Sequence, residues 1–263
     1  MQTAKSTQNT ARRIAIIGGT GLQAMNGFEL KESIASDTKW GEPSAPLSRG
    51  VLDGYEVFFM PRHGADQVIP PHKVNYRANI AALYQLDIDC ILAFNAVGGI
   101  TQGYESGTLV VPDQIIDYTW GREQTFWTEK NNELLHAEFS CPYDEHLRNQ
   151  LLTSGEGIEA VLKDGGVYGA TQGPRLESAA EIIRMERDGC DIVGMTGMPE
   201  AGLARELNIP YASLALVVNL AAGKSSQLIT MGEIEAVMAE GLPRAQQILA
   251  ATVGQLSTGS EPE

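Results

Sequence analysis

The sequence predicts a single α/β domain built around a largely parallel or mixed β-sheet. Short, near-continuous apolar runs rich in β-branched residues recur along the chain, and such runs are typical of strands buried on both faces. Segments with apolar residues at helical spacing lie between them. The 263 residues are 43% hydrophobic and 20% charged, which is the balance of a packed domain and excludes a mainly disordered chain.

Five apolar runs are predicted to be strands, and each ends in small or polar residues. The runs cover 14–17, 57–60, 90–94, 191–195 and 213–218. Their endings are GGTG, PRHG, NAVGG, MTG and VVN, respectively. Because ligands in open α/β folds lie beyond the carboxyl ends of the strands, five such endings indicate a shared pocket.

Helices are predicted between these strands and after the last one. They cover 75–85 and 177–187, begin again at Pro199, and extend from about 230 to 249. Thr230 is the candidate N-cap of the last helix, and Pro243 is expected to kink or divide it. The domain is therefore placed at 14–250, with a flexible tail at 1–13 and a C-terminal tail at 251–263.

Composition argues against several classes of partner. The formal net charge is -14, and a general nucleic-acid binder needs a basic surface instead. No run approaches the roughly 18 apolar residues of a membrane span. The three cysteines are widely spaced, which argues against a disulfide framework or a structural zinc site and favours a reduced, cytoplasmic setting. We therefore expect no nucleic-acid and no membrane partner.

The glycine-rich turn after the first strand is a candidate anion site. Its glycines leave backbone amides open to an anion, and Thr20 adds a hydroxyl donor. The turn lacks the lysine of a P-loop, so nucleoside triphosphates are disfavoured. Gly19, Gly21 and Ala24 match a dinucleotide fingerprint, but no clear acid ends a second strand about 20 residues on. A nicotinamide-dependent oxidoreductase and a plain strand-to-helix turn remain alternatives at this point.

Two other strand endings carry groups that suit an oxyanion such as phosphate. Arg62 supplies a permanent cation and His63 a titratable donor. Thr196 precedes a predicted helix start, where a hydroxyl and backbone amides can face an anion. Each residue also has an ordinary structural explanation. Arg62 could be a surface arginine, His63 a histidine at the edge of the core, and Thr196 an ordinary N-cap.

Glu177 and Asn219 together suit one edge of a heterocycle. A carboxylate accepts hydrogen bonds, whereas a carboxamide both donates and accepts them. The pair could therefore read an N–H group that lies beside a C=O group. Taken singly, Glu177 also suits the first turn of a helix and Asn219 a turn at the end of a strand.

Six motifs occur in one order that is typical of a known family. They are GGTGL at 18–22, PRHG at 61–64, PPHKVNYRANIAAL at 70–83, NAVGGI at 95–100, GPRLES at 173–178 and GMTGMPEAGLARE at 194–206. Over roughly residues 14–250 the chain resembles the purine nucleoside phosphorylase and methylthioadenosine phosphorylase family. The resemblance implies a mixed sheet with a distorted barrel, flanked by helices, in a homotrimer. It also implies phosphorolysis, in which inorganic phosphate attacks C1′ of a purine nucleoside, with no metal or organic cofactor.

The resemblance assigns roles to individual residues. The implied phosphate site consists of Thr20, Arg62, His63, the backbone of Ala96, and Thr196. Met195 is implied to pack against the ribose, and Leu176 stands where the family usually has a phenylalanine beside the base. Leucine cannot stack as an aromatic ring does, but it still forms an apolar wall. Glu177, Asn219 and His63 are the expected catalytic side chains.

The expected base is hypoxanthine rather than adenine. By the resemblance, an Asp-x-Asp pattern marks enzymes that cleave 6-aminopurine nucleosides, and this chain has Asn219, Leu220 and Ala221 in its place. Glu177 matches the acceptor for the N1 proton of a 6-oxopurine, and Asn219 matches the contact to O6 and N7. An amide N–H can donate to O6, whereas a 6-amino group would leave two donors facing each other, at a cost of roughly 1–3 kcal/mol.

The sugar end of the substrate is expected to be apolar. Met231 and Ile234 are spaced i and i+3 at the start of the last helix, where they suit a 5′-methylthio group, with ordinary helix core as the alternative. The expected reaction converts S-methyl-5′-thioinosine and phosphate to hypoxanthine and 5-methylthioribose 1-phosphate. S-methyl-5′-thioadenosine or general 6-oxopurine nucleoside specificity is one alternative, and a non-catalytic nucleoside-binding protein is another.

Overall fold

The fold is known from a computed structural model that describes residues 12–19, 25, 27–128, 136–159 and 161–258. Thr20, Gly21 and Ala24 of the glycine-rich turn lie outside the described residues, as do 1–11 and 259–263 of the two predicted tails. The strands are β1 (Ile14–Gly18), β2 (Phe28–Ile34), β3 (Leu47–Leu52), β4 (Tyr55–Pro61), β5 (Cys90–Gly99), β6 (Leu109–Val111), β7 (Gln114–Asp117), β8 (Leu162–Asp164), β9 (Val167–Ala170), β10 (Ile192–Gly194) and β11 (Tyr211–Leu220). The helices are α1 (Tyr76–Gln85), α2 (Glu145–Gly155), α3 (Ala179–Arg187), α4 (Gly197–Glu206) and α5 (Met231–Thr258), and a 3-10 turn covers Pro71–Lys73.

All described strands belong to one mixed sheet, which confirms the predicted fold class. Its main path runs β2-β3-β4-β1-β5-β10-β9-β7, and β11, β6 and β8 branch from it. Strands β4, β1, β5 and β11 are parallel neighbours, whereas β2-β3-β4 pair in antiparallel fashion. The path does not return to its first strand within the described residues, so the sheet is branched and open rather than a closed barrel.

Strand β5 is where the sheet branches. One edge of β5 pairs with β11 from Ile91 to Gly99. The other edge pairs with β1 over 90–93 and with β10 at Gly98 and Gly99. Residues 94–97, which we call the β5 gap, therefore have no strand partner on that second edge within the described chain. A gap of this kind leaves room for a ligand in the middle of the sheet.

Helices cover both faces of the central strands, so successive strand residues enter different cores. In β1, Ile14 and Ile16 pack in a cluster with residues of α2 and α5, including Leu151 and Leu249. Ala15 and Ile17 pack in a second cluster with residues of α1 and α4. This two-sided burial explains the near-continuous apolar runs of the sequence.

Among the predicted element boundaries that differ from the structure, two have reasons that bear on the site. The strand predicted to end at residue 94 extends to Gly99, because its polar residue Asn95 is hydrogen-bonded inside the protein rather than in a loop. The helix predicted from 177 begins at Ala179, since Ser178 is its N-cap and Glu181 completes the capping box. Glu177 is therefore not a first-turn helix residue.

The last helix is longer than predicted and is not divided at Pro243. Helix α5 continues to Thr258, and its late residues Val253 and Leu256 are buried in the core. Residues 251–258 are thus part of the domain rather than of a C-terminal tail. Thr230 caps this helix as predicted, because its hydroxyl accepts a hydrogen bond from the Glu233 amide at 3.3 Å.

Two other kinds of feature are absent from the residues that the structure describes. None of their helices is long and apolar enough to cross a membrane. Within the same ranges, no group of three or more His, Cys, Asp and Glu side chains is arranged to hold a metal ion.

Candidate active site

A cavity of about 340 Å³ opens at the β5 gap and contains the predicted site residues. Phe94, Ala96, Val97 and Gly98 of β5 form part of its wall. Every predicted site residue that the structure describes lines this cavity: Arg62, His63, Ala96, Leu176, Glu177, Met195, Thr196, Asn219, Ala221, Met231 and Ile234. Thr20 lies outside the described residues, but Gly19 beside it is also in the wall.

Arg62 lies at the end of β4 and is 1% exposed. Its Nε and Nη2 donate to the two carboxylate oxygens of Glu200 at 2.7 and 2.8 Å, and Nη1 donates to the Phe94 carbonyl at 3.0 Å. Burial alone would lower the pKa of Arg62, but the Glu200 carboxylate more than offsets this and raises the pKa above its usual value. One N–H on each terminal nitrogen has no acceptor among the described residues and can serve an anion in the cavity.

Glu200 is fully buried and was not singled out by the sequence reasoning. It lies in the first turn of α4 and also accepts a hydrogen bond from the Tyr211 hydroxyl at 2.9 Å. In sequence it is indistinguishable from an ordinary first-turn acid, since its partner Arg62 is 138 residues away. The Glu200 carboxylate therefore neutralises the charge of Arg62, which is the permanent cation of the predicted phosphate site.

The ring of His63 is held by one hydrogen bond to the backbone. Its Nδ1 lies 2.8 Å from the Ile69 carbonyl oxygen, an atom that can only accept, so Nδ1 carries a proton. Burial and the neighbouring charge of Arg62 lower the pKa of His63. In the neutral ring Nε2 is then an acceptor, and it becomes a second donor only when the ring takes up a proton.

Thr196 is the N-cap residue of α4 by position, but its side chain makes no cap hydrogen bond. Instead its Oγ1 accepts from Asn95 Nδ2 at 2.7 Å, and Asn95 Oδ1 in turn accepts from the Ser213 hydroxyl at 2.7 Å. All three residues are buried. The Thr196 oxygen accepts within this chain and can still donate its own proton, either to the Tyr168 hydroxyl beside it or to a group in the cavity.

Asn219 reaches the cavity because β11 is irregular at that point. The pairing of β11 with β5 shifts register between Val217 and Asn219, so that Asn219 lies opposite Gly98. A bulge of this kind re-aims a side chain. The Asn219 amide donates one N–H to the Leu220 carbonyl at 2.7 Å, which fixes its nitrogen and leaves its second N–H and its oxygen for a ligand.

Glu177 is half-buried on the loop between β9 and α3. Its Oε1 accepts a hydrogen bond of 2.6 Å from the Thr171 hydroxyl. The structure thus places the carboxylate of Glu177 and the amide of Asn219 on one cavity, as the sequence reasoning required.

Arg122 joins the two loops that carry the site residues. Its guanidinium donates to the carbonyls of Thr171 and Gln172 before α3, to that of Met195 before α4, and to that of Met198 in the first turn of α4. Sequence reasoning missed Arg122, which lies in a stretch without clear periodicity, so only the folded chain reveals its partners.

The loop before α3 also approaches Met195 closely. Gly173 has φ of +61°, and a Cβ there would lie 2.5 Å from the Met195 sulfur. Only glycine satisfies both the backbone and this contact. Met195 is thereby held in the cavity wall next to Thr196.

One part of the cavity wall, which we call the apolar end, consists of apolar side chains. Ile229, Met231, Ile234 and Met238 line it, although the sequence reasoning found only Met231 and Ile234. Met231 is 66% exposed and Leu176 is 44% exposed, so both lie at the mouth of the cavity rather than in the helix core. The cavity wall therefore contains charged and hydroxyl groups, a carboxylate, an amide and an apolar end.

Comparison with known proteins identifies relatives that are all named as phosphorylases. The model of the phosphorylase superfamily matches residues 13–254. A probable S-methyl-5′-thioinosine phosphorylase of Pseudomonas syringae pv. tomato is 52% identical over 236 residues, which covers 90% of this chain and 96% of that protein. A 6-oxopurine nucleoside phosphorylase of Pyrococcus furiosus is 41% identical over 231 residues, or 86% of each chain. The methylthioadenosine phosphorylase of Schistosoma mansoni in complex with adenine has a TM-score of 0.88 and 30% identity, covering 95% of this chain and 93% of that one.

Proposed function

Because this chain belongs to the phosphorylase superfamily, we propose that it cleaves S-methyl-5′-thioinosine with phosphate, giving hypoxanthine and 5-methylthioribose 1-phosphate. The observation that carries the proposal is that Glu177 and Asn219 line the same cavity as Arg62, His63 and Thr196. Relatives named as S-methyl-5′-thioinosine and 6-oxopurine nucleoside phosphorylases support the same class of substrate.

Phosphate is proposed to bind at the hydroxyl and cation cluster. The free N–H groups of Arg62, the Thr196 proton and the backbone of Ala96 supply donors, and Thr20 is proposed to add another. A phosphate oxygen then forms a bond to C1′ while the bond from C1′ to N9 breaks and its electron pair moves into the purine. Catalysis is positional and electrostatic, since the donors are already oriented before the charge develops.

The base is proposed to be read by Glu177 and Asn219. The carboxylate accepts the N1 proton, and the second N–H of Asn219 donates to O6 or to the negative charge that develops at N7. With adenine, N1 would bring a lone pair to the carboxylate and the 6-amino group would face the amide donor. An unpaired buried polar group costs roughly 1–3 kcal/mol, so we expect about 5- to 150-fold selectivity for the 6-oxopurine.

The 5′-methylthio group is proposed to occupy the apolar end, against Met231 and Ile234, with Met195 against the ribose and Leu176 and Ala221 beside the base. Phosphate is a co-substrate, and we propose that neither a metal nor an organic cofactor is needed. The proposal includes a cytoplasmic homotrimer. The exposed apolar side chains of Leu176 and Met231 at the cavity mouth support a neighbouring subunit there.

The proposal is tested by incubating the purified protein with S-methyl-5′-thioinosine, S-methyl-5′-thioadenosine or inosine, with and without phosphate, and identifying the released base by chromatography. We expect phosphate-dependent release of hypoxanthine from the methylthio substrate, with slower release from inosine and far slower release of adenine. Preferential release of adenine would refute the base reading, and saturable binding without cleavage would indicate a binding protein.

The Asn219→Asp variant tests whether Asn219 reads the base. It keeps the size of the side chain but replaces the donor with an acceptor, so hypoxanthine release should fall sharply while the phosphate requirement persists. Unchanged kinetics in this variant would remove Asn219 from the mechanism.

A further inference from the structure

Thr171 lies directly behind a base-reading residue without entering the active-site cavity. It follows β9 and is 7% exposed, and its side chain borders a neighbouring cavity that shares Glu177 with the first. Its backbone is fixed on both sides, because its amide donates to the Gly194 carbonyl at 2.8 Å and its carbonyl accepts from Arg122 at 3.0 Å. Thr171 can therefore act on a substrate only through another residue.

The Thr171 hydroxyl has one proton and two acceptors within reach. Glu177 Oε1 is 2.6 Å away and the Gly194 carbonyl oxygen is 3.3 Å away. The shorter bond to the charged acceptor is the stronger one, so the proton goes to Glu177. Among the described residues no other group donates to this carboxylate. Thr171 thus fixes Oε1 of Glu177 by a hydrogen bond and leaves Oε2 of Glu177 available to a ligand.

We propose that Thr171 is a positioning residue that sets the preference of the site for a 6-oxopurine over a 6-aminopurine. This inference rests on the proposed function. A carboxylate held by Thr171 presents a fixed acceptor to the N1–H of a 6-oxopurine and a repulsive lone pair to the bare N1 of a 6-aminopurine. Without the hydroxyl, the carboxylate is free to rotate away from N1, which costs the 6-oxopurine its partner and relieves the repulsion with the 6-aminopurine.

The test compares Thr171→Val with Thr171→Ser. Valine keeps the shape of threonine and removes the hydroxyl, whereas serine keeps the hydroxyl and removes a methyl group. For each protein, kcat/KM is measured with S-methyl-5′-thioinosine and with S-methyl-5′-thioadenosine. We expect the valine variant to lose about 10-fold with the first substrate and little with the second, as for a hydrogen bond to a charged group. The serine variant should keep the wild-type ratio.

A double-mutant cycle with Glu177→Gln shows whether Thr171 acts through Glu177. In the Glu177→Gln background, adding Thr171→Val should leave the substrate ratio unchanged. If Thr171→Val loses the same factor in kcat/KM with both substrates, Thr171 has a merely structural role and the inference is overturned. The inference is also overturned if Thr171→Val loses no kcat/KM with either substrate. If the valine variant fails to fold, Thr171→Ala serves in its place.

The outcome also separates this inference from the proposed function. A wild-type protein that prefers the adenine substrate refutes the proposed function whatever Thr171 does. A wild-type protein that prefers the hypoxanthine substrate, with a Thr171→Val variant of the same preference, refutes only the role of Thr171.

Discussion

Arg62 keeps its positive charge in the protein interior because Glu200 lies against it. The two groups form a bidentate ion pair with both side chains almost completely buried. Removing one member of such a pair leaves an uncompensated buried charge, which costs about 3–5 kcal/mol. A loss of activity in an Arg62 variant would therefore not by itself distinguish lost stability from lost phosphate binding.

The two effects separate in a pair of variants. Arg62→Met should lower the free energy of unfolding by about 3–5 kcal/mol, because it strands the Glu200 carboxylate. Arg62→Met combined with Glu200→Gln should regain much of this stability, since no buried charge remains, yet it should still saturate poorly with phosphate. Urea unfolding and phosphate saturation curves measure the two quantities. Normal phosphate saturation in the double variant would remove Arg62 from the phosphate site.

Much of the site was predictable at the level of single residues, whereas the groups that orient those residues were not. Arg62, His63, Thr196 and Asn219 each follow an apolar strand, and strand ends are where α/β folds bind ligands. Glu200 and Arg122 touch the site only through partners far away in sequence, so no local pattern marks them.

Two adjacent glycines at the end of β5, Gly98 and Gly99, have different neighbours, so a side chain would have a different effect at each. A Cβ on Gly99 would overlap the backbone carbonyl of Tyr104, which lies in the loop between β5 and β6. A Cβ on Gly98 would instead lie 3.3 Å from Val193 and 3.4 Å from the amide nitrogen of Asn219. Gly99 therefore preserves the fold and Gly98 preserves the room around Asn219.

Alanine substitutions should show this difference. Gly99→Ala should destabilise the protein by about 1–3 kcal/mol or more, as overpacking against backbone does. Gly98→Ala should cost less stability but reduce turnover of the nucleoside, because the added methyl group would crowd Val193 and touch the side-chain nitrogen of Asn219. Thermal unfolding and steady-state kinetics of the two variants provide the comparison. Equal losses of stability with unchanged turnover for Gly98→Ala would contradict this account of the bulge.

Length did not decide which elements could be predicted from the sequence, since the three-residue strand β10 was predicted and the 11-residue helix α2 was not. Strands β1, β4, β5, β10 and β11 and helices α1, α3, α4 and α5 each have an apolar run or a helical period in sequence. The short strands β6 to β9 have only three or four residues each, and they exist because of pairing with distant strands. The exposed strand β2 has little buried surface, so no apolar run marks it.

On the scale of the whole molecule, the site is a product of the complete fold. Its groups come from β5, from the ends of β4, β10 and β11, from the loop before α3 and from the start of α5, and they meet where the sheet branches at the β5 gap. Membership of the phosphorylase superfamily, expected from six ordered motifs, is confirmed by the match over residues 13–254.

The pH dependence of folding should report on His63. Burial first, and then the charge of Arg62, lower its pKa in the folded protein below the ordinary value of 6.5. In the unfolded chain the ring takes up its proton near that ordinary value. Below about pH 6.5 the unfolded state therefore binds more protons than the folded state, so acid favours unfolding, and the loss levels off once the folded ring is also protonated.

We therefore expect wild type to lose stability relative to His63→Asn as the pH falls from neutral through 6.5, with a slope of at most about 1.4 kcal/mol per pH unit. Asparagine can still donate to the Ile69 carbonyl but does not titrate, and the other histidines cancel in the difference between the two proteins. Urea unfolding in phosphate-free buffers measures this difference. Adding phosphate should reduce it, because an anion beside the ring favours its protonated form. Parallel pH curves for the two proteins would show that His63 has the same proton affinity folded and unfolded.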